Sequence, residues 1–297
     1  MPTQDLDTPF GSINIYLQSR DASQSIGTNN ANKIWYLNTP VAIPRPDVKM
    51  LCAVTDFQAA YSWYIIRTGV NDKFAFSDQA GAAVPQSVTI PEGNYNATTF
   101  MNKLNTLLVA LLGAGTRISY DSSTNKYTYT STTGTNTVII YGKGEGTADG
   151  STCDTEIGME GVTSVTGTGS VTFSNMVDFA GIPYIYVIAK TLGLENRNSA
   201  GDINLTLCKV PVTVQPLGFI YLPQTAGLVY LTLEDREIKK LQIVLEDDEG
   251  NELDFHGIGW GLTLSIHYQY ARLPIGNPQM ILGEMDSRAK KRNEHTN

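Results

Sequence analysis

Three histidines, three cysteines and one acidic run are the side chains of this 297-residue chain best equipped for chemistry. The histidines, His256, His267 and His295, have no metal-ligand spacing, and neither an HExxH nor a GxSxG pattern is present. Cys52, Cys153 and Cys208 are odd in number and far apart, which fits neither a disulfide framework nor a CxxC zinc site. They read as buried or free thiols kept in a reducing compartment. The run Glu246, Asp247, Asp248, Glu249, Glu252, Asp254 offers carboxylates for Ca²⁺ or for a paired-carboxylate hydrolase. Aligning Gly250 with the calcium-loop glycine puts apolar Leu245 at the first ligand position, so the spacing fails. The carboxylates also crowd one turn instead of flanking a cleft, so a solvated charged turn is the expectation. The stretch GKGEGTADG at 142–150 fits neither phosphate-loop spacing and reads as a hairpin tip. Asn96-Ala97-Thr98 and Asn204-Leu205-Thr206 are formal glycosylation sequons read as chance matches. The expectation is no catalytic residue, no cofactor and no metal ligand.

Composition narrows the class further. Charged residues make up 17%, hydrophobic residues 41%, and the formal net charge is −8. Such a chain folds, and its acidic balance disfavours a body that grips nucleic-acid phosphates. The first ten residues, MPTQDLDTPF, do not look like a signal peptide. No apolar run reaches the ~18 residues of a membrane span.

The elements that would position any site are mostly strands. Trp260–Ala271 alternates cleanly: Trp260, Leu262, Leu264, Ile266, Tyr268 and Tyr270 share one face, and Gly261, Thr263, Ser265, His267, Gln269 and Ala271 the other. Shorter strand-like stretches begin at Ile13 and run through Met50–Ala59, Tyr61–Ile66, Tyr184–Ala189, Ile203–Cys208, Phe219–Leu222, Val229–Leu233 and Leu241–Leu245. Pro40, Pro44, Pro46, Pro183, Pro211, Pro216 and Pro223 punctuate them. This predicts an all-β sandwich, jelly roll or barrel. Asn96–Leu112 is the exception. Phe100, Leu104, Leu107, Leu108 and Leu111 fall on one face of a helix, with Asn96 as N-cap and Gly113 as stop. Ile118–Tyr120, Tyr127–Thr130 and Val138–Tyr141 then form a small polar sheet.

The expected organisation is an N-terminal arm at 1–11, a discontinuous sandwich at 12–84 and 176–271, an inserted α+β subdomain at 85–175, and a tail at 272–297. Tyr95, Tyr120, Tyr127, Tyr129 and Tyr141 serve either as a recognition surface or as the insert's core, with core favoured for Tyr127 and Tyr129. The tail carries Arg288, Lys290, Lys291 and Arg292, a weak basic cluster for genome or for an acidic partner surface.

Several stretches together carry a family likeness. They are NKIWYLNTPVAIPRP and VKMLCAVTDFQAAYSWYII within 32–66, SVTIPEGNYNATTFMNKLNTLL at 87–108, ISYDSSTNKYTY at 118–129, EIGMEG at 156–161, and LEDDEGNELDFHGIGWGLTLSIHYQY at 245–270. In this order the chain resembles the penton, or minor capsid, proteins of virophages, Polinton-like viruses and adintovirus-type elements. The resemblance implies one eight-stranded jelly roll with an insertion on a loop. It also implies a homopentamer at the fivefold vertices of an icosahedral virion, built in the host cytoplasm, a viral factory or the nucleus. The implied neighbours are capsomers of a major capsid protein. The segment 85–175 would face outward, toward a host receptor or a fibre. Asp5, Leu6 and Phe10 of the arm, with Arg288, Lys290, Lys291 and Arg292 of the tail, are the expected interface residues. The alternative is a spike that attaches to host glycan or receptor. A carboxylate hydrolase on a β scaffold ranks last.

Overall fold

The computed structural model describes residues 10–115, 117–144, 150–194, 205–223 and 228–270. The described residues begin with β1 (Gly11–Gln18), β2 (Gln24–Ile26), β3 (Asn32–Ala42) and β4 (Val48–Ala60). It then builds β5 (Lys73–Gln79), β6 (Gln86–Thr89), α1 (Ala97–Leu112), β7 (Ile118–Asp121), β8 (Lys126–Thr130) and β9 (Thr137–Tyr141). A short helix α2 (Asp154–Ile157), β10 (Ser164–Thr168) and β11 (Ser170–Thr172) complete that part. The last group is β12 (Tyr184–Ala189), β13 (Thr206–Pro211), β14 (Phe219–Leu222), β15 (Leu231–Leu233), β16 (Glu237–Glu246) and β17 (Trp260–Tyr270).

Strand order defines the architecture. One sheet runs β1-β17-β4-β14, with β15 also on β4, and the other runs β13-β12-β16-β3-β2. β14 pairs with 57–60 of β4 and β15 with 50–52, so the two fill one strand position end to end. With β2 counted as an edge extension, eight positions remain among the described residues, four per sheet, and each of their pairings is antiparallel. Among the described strands the first pairs with the last, and successive positions alternate between the sheets except β12 and β13, which are neighbours in one sheet. The fold is a jelly roll. The inward faces meet in one core that includes Trp35, Phe57, Trp63, Leu241, Phe255, Trp260 and Leu264. Trp35 and Trp260 meet edge to face at 5.8 Å.

Ile66 through Phe179, between β4 and β12, supply a second core. β10-β9-β5-β6 and β11-β8-β7 are its sheets, and Phe74, Phe76, Phe100, Leu104, Leu108, Tyr127 and Tyr129 fill it. The helix lies where its periodicity placed it. Asn96 accepts from the Thr99 N–H while the Thr99 hydroxyl accepts from the Asn96 N–H, a reciprocal cap. Gly113, at φ 85°, ends it. Phe100, Leu104 and Leu108 are buried, but Leu111 is exposed, outside the predicted stripe.

Two placements made from sequence need correction. Tyr61–Ile66 is not a strand. It is the crossing between cores, with Tyr61 and Trp63 in the first and Ile66 in the second. Nor do residues 73–79 lie in the sandwich: β5 pairs with β6 and β9 and its phenylalanines fill the second core. Alternating apolar residues report a buried face without saying which core buries it.

Asp78 anchors the second core electrostatically. It takes 2.7 Å from the Arg117 Nη1, 2.9 Å from the Tyr129 hydroxyl, 2.6 Å from Ser131 and 2.8 Å from Asn136. Burial would raise its pKa, yet those hydrogen bonds and the Arg117 charge hold it below the usual carboxylate value.

Candidate assembly surface

The residues first considered for chemistry are held in structural roles. Ser265 and His267 lie on one face of β17, with Oγ 2.9 Å from Nε2. The hydroxyl also donates to Asn14 Oδ1 at 2.8 Å, so its single proton is committed and the imidazole must donate to it. That is the reverse of nucleophile activation. Thr263 and Ser265, placed on the polar face, are buried as well. His256 reaches Asp254 only at 3.8 Å in an exposed turn. All three cysteines are free thiols. Burial pushes Cys52 and Cys208 up to about 12, which makes them poor nucleophiles.

The acidic turn differs from the solvated loop expected. The Asp247 carboxylate is 1% exposed and pairs with Arg67 at 2.7 Å. It also accepts the backbone N–H groups of Glu249 and Asn251, at 3.0 and 2.8 Å. The turn is thereby clamped to the crossing segment. Lys143 bridges to Glu249 at 3.1 Å, and Ser62 donates to the Phe255 carbonyl at 3.0 Å, across the same seam. A cavity of about 300 Å³ lies there. Glu156 lines it and accepts from the Asn71 amide. Desolvation raises the Glu156 carboxyl to about 7, against the opposing pull of that hydrogen bond. Among the described residues, no group of three or more His, Cys, Asp or Glu side chains is arranged to hold a metal ion.

What remains is surface, and it is uneven. β1 has β17 on one side only, leaving an open edge among the described residues. Tyr16, 74% exposed, and Ile13 stand on that strand. The opposite margin of the same sheet carries Phe219 (61%), Tyr221, Val229 and Tyr230. Next to them Leu217 is 85% exposed and sits at φ 69°, a left-handed conformation costly for a leucine. Two backbone bonds to Tyr61 hold it there: Leu217 N to Tyr61 O at 2.8 Å and Tyr61 N to Gly218 O at 2.9 Å. Both margins of one sheet therefore display large apolar side chains.

Of the interface residues expected from sequence, Phe10 is described. It is half exposed, its N–H bonds the Tyr268 carbonyl at 3.0 Å, and its ring lies 4.6 Å from that of Tyr270. Phe10 and Gly11, assigned to the arm, are thus docked, and Gly11 belongs to β1. Asp5, Leu6, Arg288, Lys290, Lys291 and Arg292 lie outside the described residues, as do Asn204 and residues 145–149 of the Gly-rich run. Tyr127 and Tyr129 are core, as favoured. The apolar margin around Leu217 was missed. Its signal was Phe219–Leu222, an all-apolar run that reads as buried on both faces when only Ile220 and Leu222 face the core and Phe219 and Tyr221 are exposed.

No family model matches the chain, and no curated protein sequence matches it. Among solved structures it is similar to the selenomethionine-labelled penton protein of mavirus, at 11% identity and a TM-score of 0.46. That alignment covers 86% of this chain and 99% of the other. The jelly-roll assignment itself rests on the strand order. No helix among the described residues is long and apolar enough to cross a membrane.

Proposed function

We propose that the protein is a structural capsid protein, a penton whose copies close into a pentamer at the fivefold vertices of an icosahedral virion. The observation that carries this reading is the pair of apolar margins on one jelly-roll sheet. Different patches on opposite sides of a subunit allow a head-to-tail contact, which yields a ring when its rotation closes. Leu217, held in a costly conformation and almost fully exposed, is suited to a partner's pocket. The sequence motifs resemble penton proteins, which supports the same assignment. In this reading the residues between β4 and β12 form the outward cap and are open to a receptor or fibre. Asp5, Leu6 and the basic cluster at 288–292 reach toward neighbouring capsomers or genome. Many weak contacts act together in a shell.

Native mass spectrometry of the purified chain over a concentration series tests the ring. A five-subunit species that Leu217→Asp or Phe219→Asp abolishes, with the monomer still folded, is the expected result. Trimers, or pentamers indifferent to both substitutions, would overturn the assignment of these margins.

A further inference from the structure

A second feature lies at one end of the sandwich, independent of the ring. Lys33 lies on β3 between Ala31 and Trp35, on the same face, and both of those residues pack into the first core. By strand alternation Lys33 shares that core-facing side, and it is only 7% exposed. A buried ammonium requires a compensating anion or a full set of acceptors. Its Nζ has Ser25 Oγ at 2.9 Å, directly across the β2–β3 pair. Among the described residues no carboxylate lies within 4.0 Å of it. Burial holds this lysine below its ordinary pKa.

Lys33 and Ser25 line a cleft of about 680 Å³. Gln18, Gln24 and Gln58 line it too, and none of the three side-chain amides has a hydrogen-bond partner among the described residues. Arg20 stands at the rim, with an exposed Asp21 carboxylate 3.7 Å from its Nε. The cleft thus combines one buried, under-partnered cation with three free carboxamides. Each carboxamide can both donate to and accept from a hydroxyl. A bare phosphate would satisfy the cation and leave the amide acceptors idle.

We infer that this cleft binds a small polyhydroxylated carboxylate, an acidic sugar unit, whose carboxylate pairs with Lys33 while its hydroxyls meet Gln18, Gln24 and Gln58. The charge-assisted contact sets orientation, and the amides discriminate against ligands without hydroxyls. Among the described residues no aromatic ring lines the cleft, so affinity for a single unit falls in the millimolar range and depends on repeated copies for strength.

The test is ligand-observed saturation-transfer NMR on the full chain with N-acetylneuraminic acid and glucuronic acid. Galactose and inorganic phosphate are run in parallel, and dissociation constants come from titration. Saturable binding of at least one sugar acid is expected, with galactose weaker by roughly tenfold or more and phosphate a weak competitor. Lys33→Met should abolish binding with an unchanged circular dichroism spectrum. Should Lys33→Met fail to fold, Gln58→Ala carries the test, since Gln58 lies off the core face of β4 and its loss should weaken sugar-acid binding alone. Absence of sugar-acid binding, equal binding of galactose, phosphate binding tighter than either acid, or full binding by the variants would each overturn the inference. The first of these is also what a cleft reserved for a carboxylate of a second copy would give.

Discussion

Replacing Asp78 with alanine isolates the charge that organises the second core. Asp78 and Arg117 are 3% and 5% exposed, and the carboxylate also receives Tyr129, Ser131 and Asn136. Alanine leaves the guanidinium buried, with Thr132 Oγ1 at 3.2 Å as its remaining side-chain partner, and strands three further donors. Removing one member of a buried pair costs about 3–5 kcal/mol. For a cooperative unit of this size, near 4 °C per kcal/mol, the unfolding temperature of the second core falls by roughly 12–20 °C. Calorimetry should then show its transition separating from that of the jelly roll. Hydrogen exchange should locate the loss in β5, β8 and β9 while β16 and β17 stay protected. The double variant Asp78→Ala with Arg117→Met removes both charges and should recover most of the loss. Acid should act through the same group. Its folded pKa is depressed, so its contribution is present above the unfolded value of about 3.9 and disappears as pH falls through the folded one. A loss below about 1 kcal/mol for Asp78→Ala, or a double variant as unstable as the two single losses summed, refutes the reasoning.

Glu156→Gln should respond in the opposite direction to pH. The folded carboxyl titrates near 7 against an ordinary 4.5, so the native state holds a proton that the unfolded chain has released. Stability therefore falls as pH rises from about 4.5 to 7, and the glutamine should gain about 1–3 kcal/mol at pH 8 and little at pH 4 by thermal melts. A gain of equal size at both pH values would remove the titration from the explanation. Leu264→Asp puts an unpaired charge on a fully buried position of β17 and should prevent folding; a soluble variant with the native near-ultraviolet spectrum would show the placement to be wrong. Asn96→Ala removes the α1 cap and should cost about 1 kcal/mol, read as faster exchange in the first helical turn, and unchanged exchange there would mean that the cap is idle.

The parts legible in the sequence are those encoded locally. The α1 boundaries follow from a cap, a stop and a periodic stripe inside one short window, and β17 follows from its alternation. The parts not legible depend on distant partners. Nothing near Asp247 announces that Arg67, far earlier in the chain, will neutralise it. Thr263 and Ser265 look solvent-facing because alternation reports polarity, but flanking strands and His267 cover them. Lys33 sits in a run whose tryptophan and isoleucine are core, with no local sign that a lysine among them is buried. The apolar margin was hidden for the complementary reason. Phe219 and Tyr221 look internal until β14 is seen to be the last strand position of its sheet.

The pairing of β1 with β17 has a consequence in time. β1 ends at Gln18 and its partner begins at Trp260. At about 5–20 residues per second, a ribosome needs roughly 10–50 seconds to supply the partner. Through that interval β1 and the long β4 both wait with open backbone edges, the condition that invites wrong strand pairing. A chain cut short before β17 lacks the strand that joins them and can close neither edge. Arrival of β17 therefore acts as a checkpoint: products cut before it remain sticky and open to proteolysis, and only chains carrying it present a joined sheet to their neighbours.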